Sequence, residues 1–197
     1  MKKPLKIALG VLLTLVLIVL AYVIYVFAAY YRVEDRQTLE VGELSIRSQT
    51  AGGETALPME GAVETGTVYR VSSANIGFGA YSADYSFFMD GGTESRARSA
   101  DAVRENVTGE AALIADLTPD FALFQEVDVD GTRSWHVDER AYIVRAMDGR
   151  EAEAVFAQNY DSPYLFYPLL APHGANRSGM LTLSRHPISS AVRRSLP

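Results

Sequence analysis

The sequence predicts a mixed α/β domain carried behind one membrane-spanning helix. Three observations lead there: a 25-residue uncharged run near the amino terminus, a strand–helix–strand pattern between residues 68 and 126, and a short apolar run, Phe121-Ala-Leu-Phe124, that stops abruptly at Gln125-Glu126. Four apolar residues bounded by polar ones read as a buried central strand. A carboxylate at the carboxyl end of such a strand lies where open α/β sheets place their ligands. Glu126 is therefore the first candidate for chemistry. Taken alone, a Gln-Glu pair more often caps a strand and faces solvent, so its neighbours along the chain have to decide.

The uncharged run spans Ile7 to Tyr31 and exceeds the roughly 20 residues needed to cross a bilayer core. Lys2, Lys3 and Lys6 precede it, and tyrosines 22, 25, 30 and 31 gather toward its far end. Basic residues favour the cytoplasmic side and aromatic rings favour the interface. The expected topology is a single-pass anchor in the cell membrane, amino terminus cytoplasmic and residues 32 onward outside. A cleaved signal peptide, cut after Val26-Phe27-Ala28, is the competing reading, but its apolar core would be well beyond the usual length of about 7–15 residues.

Residues 32–66, rich in Glu, Gly, Thr and Ser, read as a spacer. Leu39, Val41, Leu44 and Ile46 offer one short extended piece within it. Beyond residue 31 the chain has no lysine, and 15 of its 18 basic residues face all 24 acidic ones, a net charge of −9. So acidic a body disfavours non-specific nucleic-acid binding, which rests on phosphate neutralisation, and suits the recruitment of divalent cations. The absence of cysteine excludes disulfides, thiolate metal sites and a thiol nucleophile.

From residue 67 the elements follow in order. Val68–Phe78 is a β-branched and aromatic strand breaking at Gly77 and Gly79, with Asn75 near its carboxyl end. An aromatic loop carries Tyr81, Tyr85, Phe87 and Phe88. It reads as packing within the domain in preference to a substrate wall or membrane patch, since exposed apolar patches are unusual. Ala97–Leu117 is an amphipathic helix with a stripe of Val103, Val107, Ile114 and Leu117, capped by Ser99 and stopped by Thr118-Pro119. This βαβ-like unit brings Asn75 and Glu126 to one sheet edge. Asp130-Gly131 then reads as a turn, Val137–Met147 as a helix, and Ala152–Asn159 as a strand. Met180–Ser184 is a further strand, and another begins at Ser190–Arg193. His136, a lone histidine, reads as a surface or capping residue.

Three stretches, SSANIGFG with Asn75, PDFALFQEVD with Glu126, and SGMLTLSRHPI from Ser178 to Ile188, together resemble the endonuclease/exonuclease/phosphatase superfamily over about residues 67–197. That group includes pancreatic-type deoxyribonucleases, abasic-site endonucleases, inositol-polyphosphate phosphatases and bacterial sphingomyelinases. The resemblance implies a two-sheet α/β sandwich, present here in part, and Mg²⁺-dependent (or Mn²⁺-dependent) phosphoester cleavage. It also implies Glu126 as the metal-ligating carboxylate and Asn75 as the amide beside the metal or phosphate. Mg²⁺ takes oxygen ligands, often one or two carboxylates plus water and substrate phosphate. An amide adds a donor and an acceptor without charge.

The family's second half brings a histidine near a strand end, a Gly-Asp-x-Asn motif, and a closing Ser-Asp-His that contains the general base. None of these occurs in the 197 residues, and His136, His173 and His186 match none of those positions. The chain is therefore expected to be the amino-terminal part of such a domain, inactive alone and with unpaired sheet edges. His173 and Asn176, in the turn-rich PHGANRSG, are candidates for substrate contact. The acidic body, the tether and the aromatic loop favour a phospholipid or small phosphoester as substrate. A nuclease of the same superfamily is the alternative, and a non-catalytic, membrane-tethered binding module is the alternative of another class.

Overall fold

The computed structural model describes residues 3–43, 60–147 and 153–195. Helix α1, Lys3–Ala28, is exposed along nearly its whole length and buries no residue within the protein. Its 26 residues extend about 39 Å, more than the ~30 Å hydrocarbon core of a bilayer. It is long and apolar enough to span a membrane.

The rest is a mixed α/β architecture with two sheets. Its strands are β1 (Arg36–Leu39), β2 (Gly42–Glu43), β3 (Val71–Asn75), β4 (Phe121–Gly131), β5 (Glu153–Asp161), β6 (Asn176–Ser184) and β7 (Ala191–Arg194). Its helices are α2 (Ala100–Asp116) and α3 (Glu139–Ala146). Five strands form one sheet in the order β2-β5-β6-β4-β3, and β1 pairs with β7 in a separate antiparallel ribbon. Among the described strands only β3 and β4 pair in parallel, in register from Val71 opposite Phe121 to Asn75 opposite Gln125. Parallel neighbours need a crossover, and α2 supplies it. Ser99 Oγ accepts the amide of Ala102 at 3.0 Å, the cap expected from the sequence.

The buried face of α2 is Val103, Val107, Ala111 and Ala115. This corrects the expected stripe: Ile114 is partly buried and Leu117 is 52% exposed. Small alanines at the i+4 positions suit the close approach of α2 to α3 and to the turn after β3, and the bulky Leu113 and Leu117 are turned outward. Ala122, Phe124, Val127, Leu181 and Leu183 from the sheet and Ile143, Val144 and Met147 around α3 complete the core.

Two boundaries also differ from expectation. The strand predicted over Val68–Phe78 is confined to Val71–Asn75, because Gly77 (φ 51°), Phe78 (φ 47°) and Gly79 (φ 64°) all take left-handed backbone in a tight 3₁₀ turn. Asp130-Gly131 is not a turn: β4 continues to Gly131, with Asp130 opposite Arg177 and Gly131 opposite Asn176. Part of the predicted spacer is enlisted in the sheets as β1 and β2, whereas Leu44 and Ile46 lie outside the described residues.

Gly79 sits where the 3₁₀ turn meets α2, and a Cβ there would lie 2.8 Å from methyls of both Val103 and Val107. Its carbonyl accepts Asn106 Nδ2 at 2.9 Å. Gly79→Ala combines a left-handed backbone penalty with overpacking and should cost about 2–4 kcal/mol. Denaturant midpoints in detergent micelles measure it; an unchanged midpoint would show that α2 yields freely.

Candidate active site

Asn75 and Glu126 meet where the parallel pairing of β3 with β4 ends, at the carboxyl end of β3 and midway along β4. Asn75 Nδ2 donates to Glu126 Oε1 at 3.0 Å, and Asn75 Oδ1 accepts the Gly77 amide at 2.9 Å. The amide is thus fixed by the turn that ends β3, with its NH₂ aimed at the carboxylate. Glu126 is presented by a bulge. Phe124 pairs with Leu181 and Val127 with Gly179, so Gln125 and Glu126 together oppose Met180 alone. Glu126 takes φ 55°, a left-handed conformation that costs a non-glycine residue about 1–3 kcal/mol. Gln125 is held by the backbone of β3, its carbonyl accepting the Ile76 amide at 3.1 Å, and by Nε2 donating to Ser73 Oγ at 2.9 Å. Among the described residues no group but Asn75 donates a hydrogen bond to Glu126, and both side chains are exposed.

A buried polar network supports this edge. Asp128, fully buried, takes Arg133 in a bidentate pair, Nη2 to Oδ1 at 2.7 Å and Nε to Oδ2 at 3.0 Å. Ser134 Oγ adds a bond to Asp128 Oδ2 at 2.8 Å. The Arg133 guanidinium lies 4.1 Å from the centre of the Phe78 ring, directly after the Asn75 turn. Gly131 leaves the room this requires, since a Cβ there would stand 2.7 Å from Asp128 Oδ2. The Asp128 amide donates to Glu139 Oε2 at 2.7 Å, tying β4 to the first turn of α3. Burial, and then the Asp128 charge, push the Glu139 carboxyl well above the ordinary carboxylate range.

His173 and Asn176 are spent on this framework. Both are 1% exposed. Asn176 Oδ1 accepts the Arg133 amide at 3.0 Å and its Nδ2 donates to the His173 carbonyl at 3.2 Å. His173 Nδ1 donates to the Ser95 carbonyl at 2.8 Å, and its ring packs against Phe78, Phe87 and Phe88. Burial lowers the His173 pKa and favours the neutral ring. Substrate contact, the expected role, is not available to either side chain in this arrangement. His136 is exposed and bonds Asp130 through Nδ1 at 2.6 Å.

The aromatic loop does pack inward, with Tyr85 and Phe87 against the core, while Tyr81 stays 43% exposed at the site's rim. Burial, the neighbouring Asp90 carboxylate and the Glu126 charge together raise the Tyr81 pKa. From Tyr81 ring contacts run through Phe87 and Phe88 to Tyr167. The segment around Tyr167 meets α1: Tyr25 and Tyr22 hydroxyls accept the amides of Tyr164 and Phe166, each at 3.2 Å. Leu169 and Leu170 beside it are 82% and 99% exposed.

The Asp128–Arg133–Glu139 network has no local signature, for alternating Val-Asp-Val-Asp resembles the outside of any strand. Nor does Glu126 gather further His, Asp or Glu ligands among the described residues. Among the described residues, the group of three that could share an ion is Glu60, Asp120 and His186, at the opposite end of β4. Compared with family models, curated proteins and solved structures, the chain matches none.

Two variants test the network. Asp128→Ala strands a buried guanidinium and should cost about 3–5 kcal/mol in unfolding free energy. Glu139 has a folded-state pKa raised above its unfolded value near 4.5. Its contribution is therefore complete below that value and is lost as pH rises toward the folded pKa. Glu139→Gln should abolish this decline in stability, as read from denaturant midpoints between about pH 4 and pH 8. A parallel decline in the variant would assign it to another group.

Proposed function

We propose that this chain belongs to a membrane-anchored, metal-dependent phosphoester hydrolase with the endonuclease/exonuclease/phosphatase fold, acting on a phospholipid or small phosphoester at the outer face of the cell membrane. What supports it above all is the 3.0 Å contact between Asn75 and Glu126 where the parallel pairing of β3 and β4 ends. The donor set suits a hard divalent cation such as Mg²⁺ or Mn²⁺. Glu126 has an exposed carboxylate whose Oε2 accepts no hydrogen bond among the described residues, and the orienting bond from Asn75 falls on Oε1 alone. Bound there, the cation would neutralise phosphoryl charge and lower the pKa of a water. Glu126 would hold it, Asn75 would fix the carboxylate and offer its NH₂ to a phosphoryl oxygen, and Tyr81 would wall the site.

The lipid side of the substrate class draws on the aromatic path from Tyr81 to the segment that touches α1. A bilayer around α1 would meet Leu169 and Leu170, and the wall of the site continues from there. The acidic body argues in the same direction, against a polyanionic duplex.

The test uses the complete gene product in phospholipid vesicles with Mg²⁺, comparing headgroup release with plasmid nicking. Headgroup or small-phosphoester release is expected, and Glu126→Ala should lower it at least about 1,000-fold, the worth of several kcal/mol of charge stabilisation. Nicking without release would move the substrate to nucleic acid. No hydrolysis of either would leave the tethered binding module, and undiminished turnover in Glu126→Ala would overturn the assignment of the chemistry to Glu126.

A further inference from the structure

A second set of convergent ligands lies at the other end of β4, roughly 20 Å of strand away from Glu126. His186 follows β6 and is 5% exposed. Its Nδ1 donates to the Gly61 carbonyl at 2.7 Å, which leaves the lone pair on Nε2. Nε2 is buried, makes no hydrogen bond among the described residues, and stands 3.6 Å from both Glu60 Oε2 and Asp120 Oδ1.

The orientation of all three groups is fixed by other contacts. Asp120 Oδ2 accepts the Arg70 amide at 2.6 Å, leaving Oδ1 turned to the histidine. Glu60 Oε1 pairs with Arg185, and the Glu60 amide donates to the Arg185 carbonyl at 3.0 Å. The imidazole is clamped between Tyr69 and Phe121, with ring centres 5.1 and 5.5 Å away.

A protonated imidazole bonded to either carboxylate would stand at about 2.7–2.9 Å. The observed 3.6 Å is too long for that bond and close to the edge of a tetrahedron with ~2.1 Å metal–ligand bonds, about 3.4 Å. One imidazole nitrogen with two carboxylate oxygens is a donor set for zinc or a similar first-row ion, not one selective for Mg²⁺. A backbone carbonyl on the far ring nitrogen is the usual support for a metal-bound histidine. A surface depression lined by Val68, Tyr69, Arg70, Thr118 and Asp120 adjoins the cluster and offers access to an ion and its water.

We infer that Glu60, Asp120 and His186 form a zinc-type site that fastens the segment arriving at residue 60 to the start of β4 and the turn after β6. It is independent of the chemistry at Glu126.

The test is zinc titration of the chain in detergent micelles, purified without a histidine tag, with cobalt(II) as a spectroscopic probe. One equivalent of zinc and the visible bands of tetrahedral cobalt are expected in the wild type and equally in Glu126→Gln. Glu60→Gln, at a partly exposed residue and with its fold checked by circular dichroism, should weaken zinc at least about 10-fold, the loss that even outer-shell partners produce. His186→Asn should remove the cobalt bands; should that variant fail to fold, Glu60→Gln decides alone. No stoichiometric zinc in the wild type, or wild-type affinity in Glu60→Gln, overturns the site.

Discussion

Arg133 carries its charge into a part of the domain from which water is nearly excluded, and the ends of four elements are arranged so that it is never alone. Asp128 comes from β4, the Asn176 oxygen that takes its amide comes from β6, and the Phe78 ring comes from the turn after β3. Glu139 joins α3 to the same cluster through the Asp128 backbone. A buried ion pair offers little net stability over an apolar replacement, yet it severely penalises any arrangement that leaves one partner unpaired. The network therefore acts mainly as a register lock. It fixes how β4 lies against β6 on the far side of the bulge, and hence where the bulge sets Glu126.

That bulge connects the framework to the candidate chemistry. A regular β4 would keep alternating its side chains, and residue 126 would fall on a face already committed to packing. The extra residue turns Glu126 out to solvent at a conformational cost, while Val127 and Asp128 go back inside. The neighbouring left-handed residues, Gly77 to Gly79, perform the matching turn at the end of β3 and deliver Asn75. Left-handed backbone thus shapes both strands at this edge, at Gly77–Gly79 after β3 and at Glu126 within β4.

What the sequence disclosed is what depends on local pattern. Ser99 and Thr118-Pro119 mark the limits of α2, and the apolar run before Gln125 marks β4. A crossover helix between them already implies that Asn75 and Glu126 end up side by side. What it hid depends on partners far apart in the chain. Asp128 sits in an ordinary-looking alternation, and its meaning comes from Arg133, Glu139 and Asn176, none of which signals a buried charge locally. His173 and Asn176 looked like loop residues because proline and glycine surround them, but the same stretch folds inward to fill the space behind Arg133. His186 and Glu60, 126 positions apart, meet only because the segment at residue 60 returns to the end of β6.

The short distance between α1 and the first strand would govern how the domain meets any membrane that α1 spans. Between Ala28 and Arg36 only seven residues intervene, from Ala29 to Asp35, and fully extended they reach about 25 Å. The long acidic stretch that follows adds nothing to that reach, because β1 is already hydrogen-bonded to β7 in the body. With α1 in a bilayer, a domain so closely leashed would explore a thin layer above the lipid and would not swing freely into the surrounding fluid. For any ligand resident in that layer the encounter becomes a two-dimensional search at high effective concentration. Weak intrinsic affinity would then be enough.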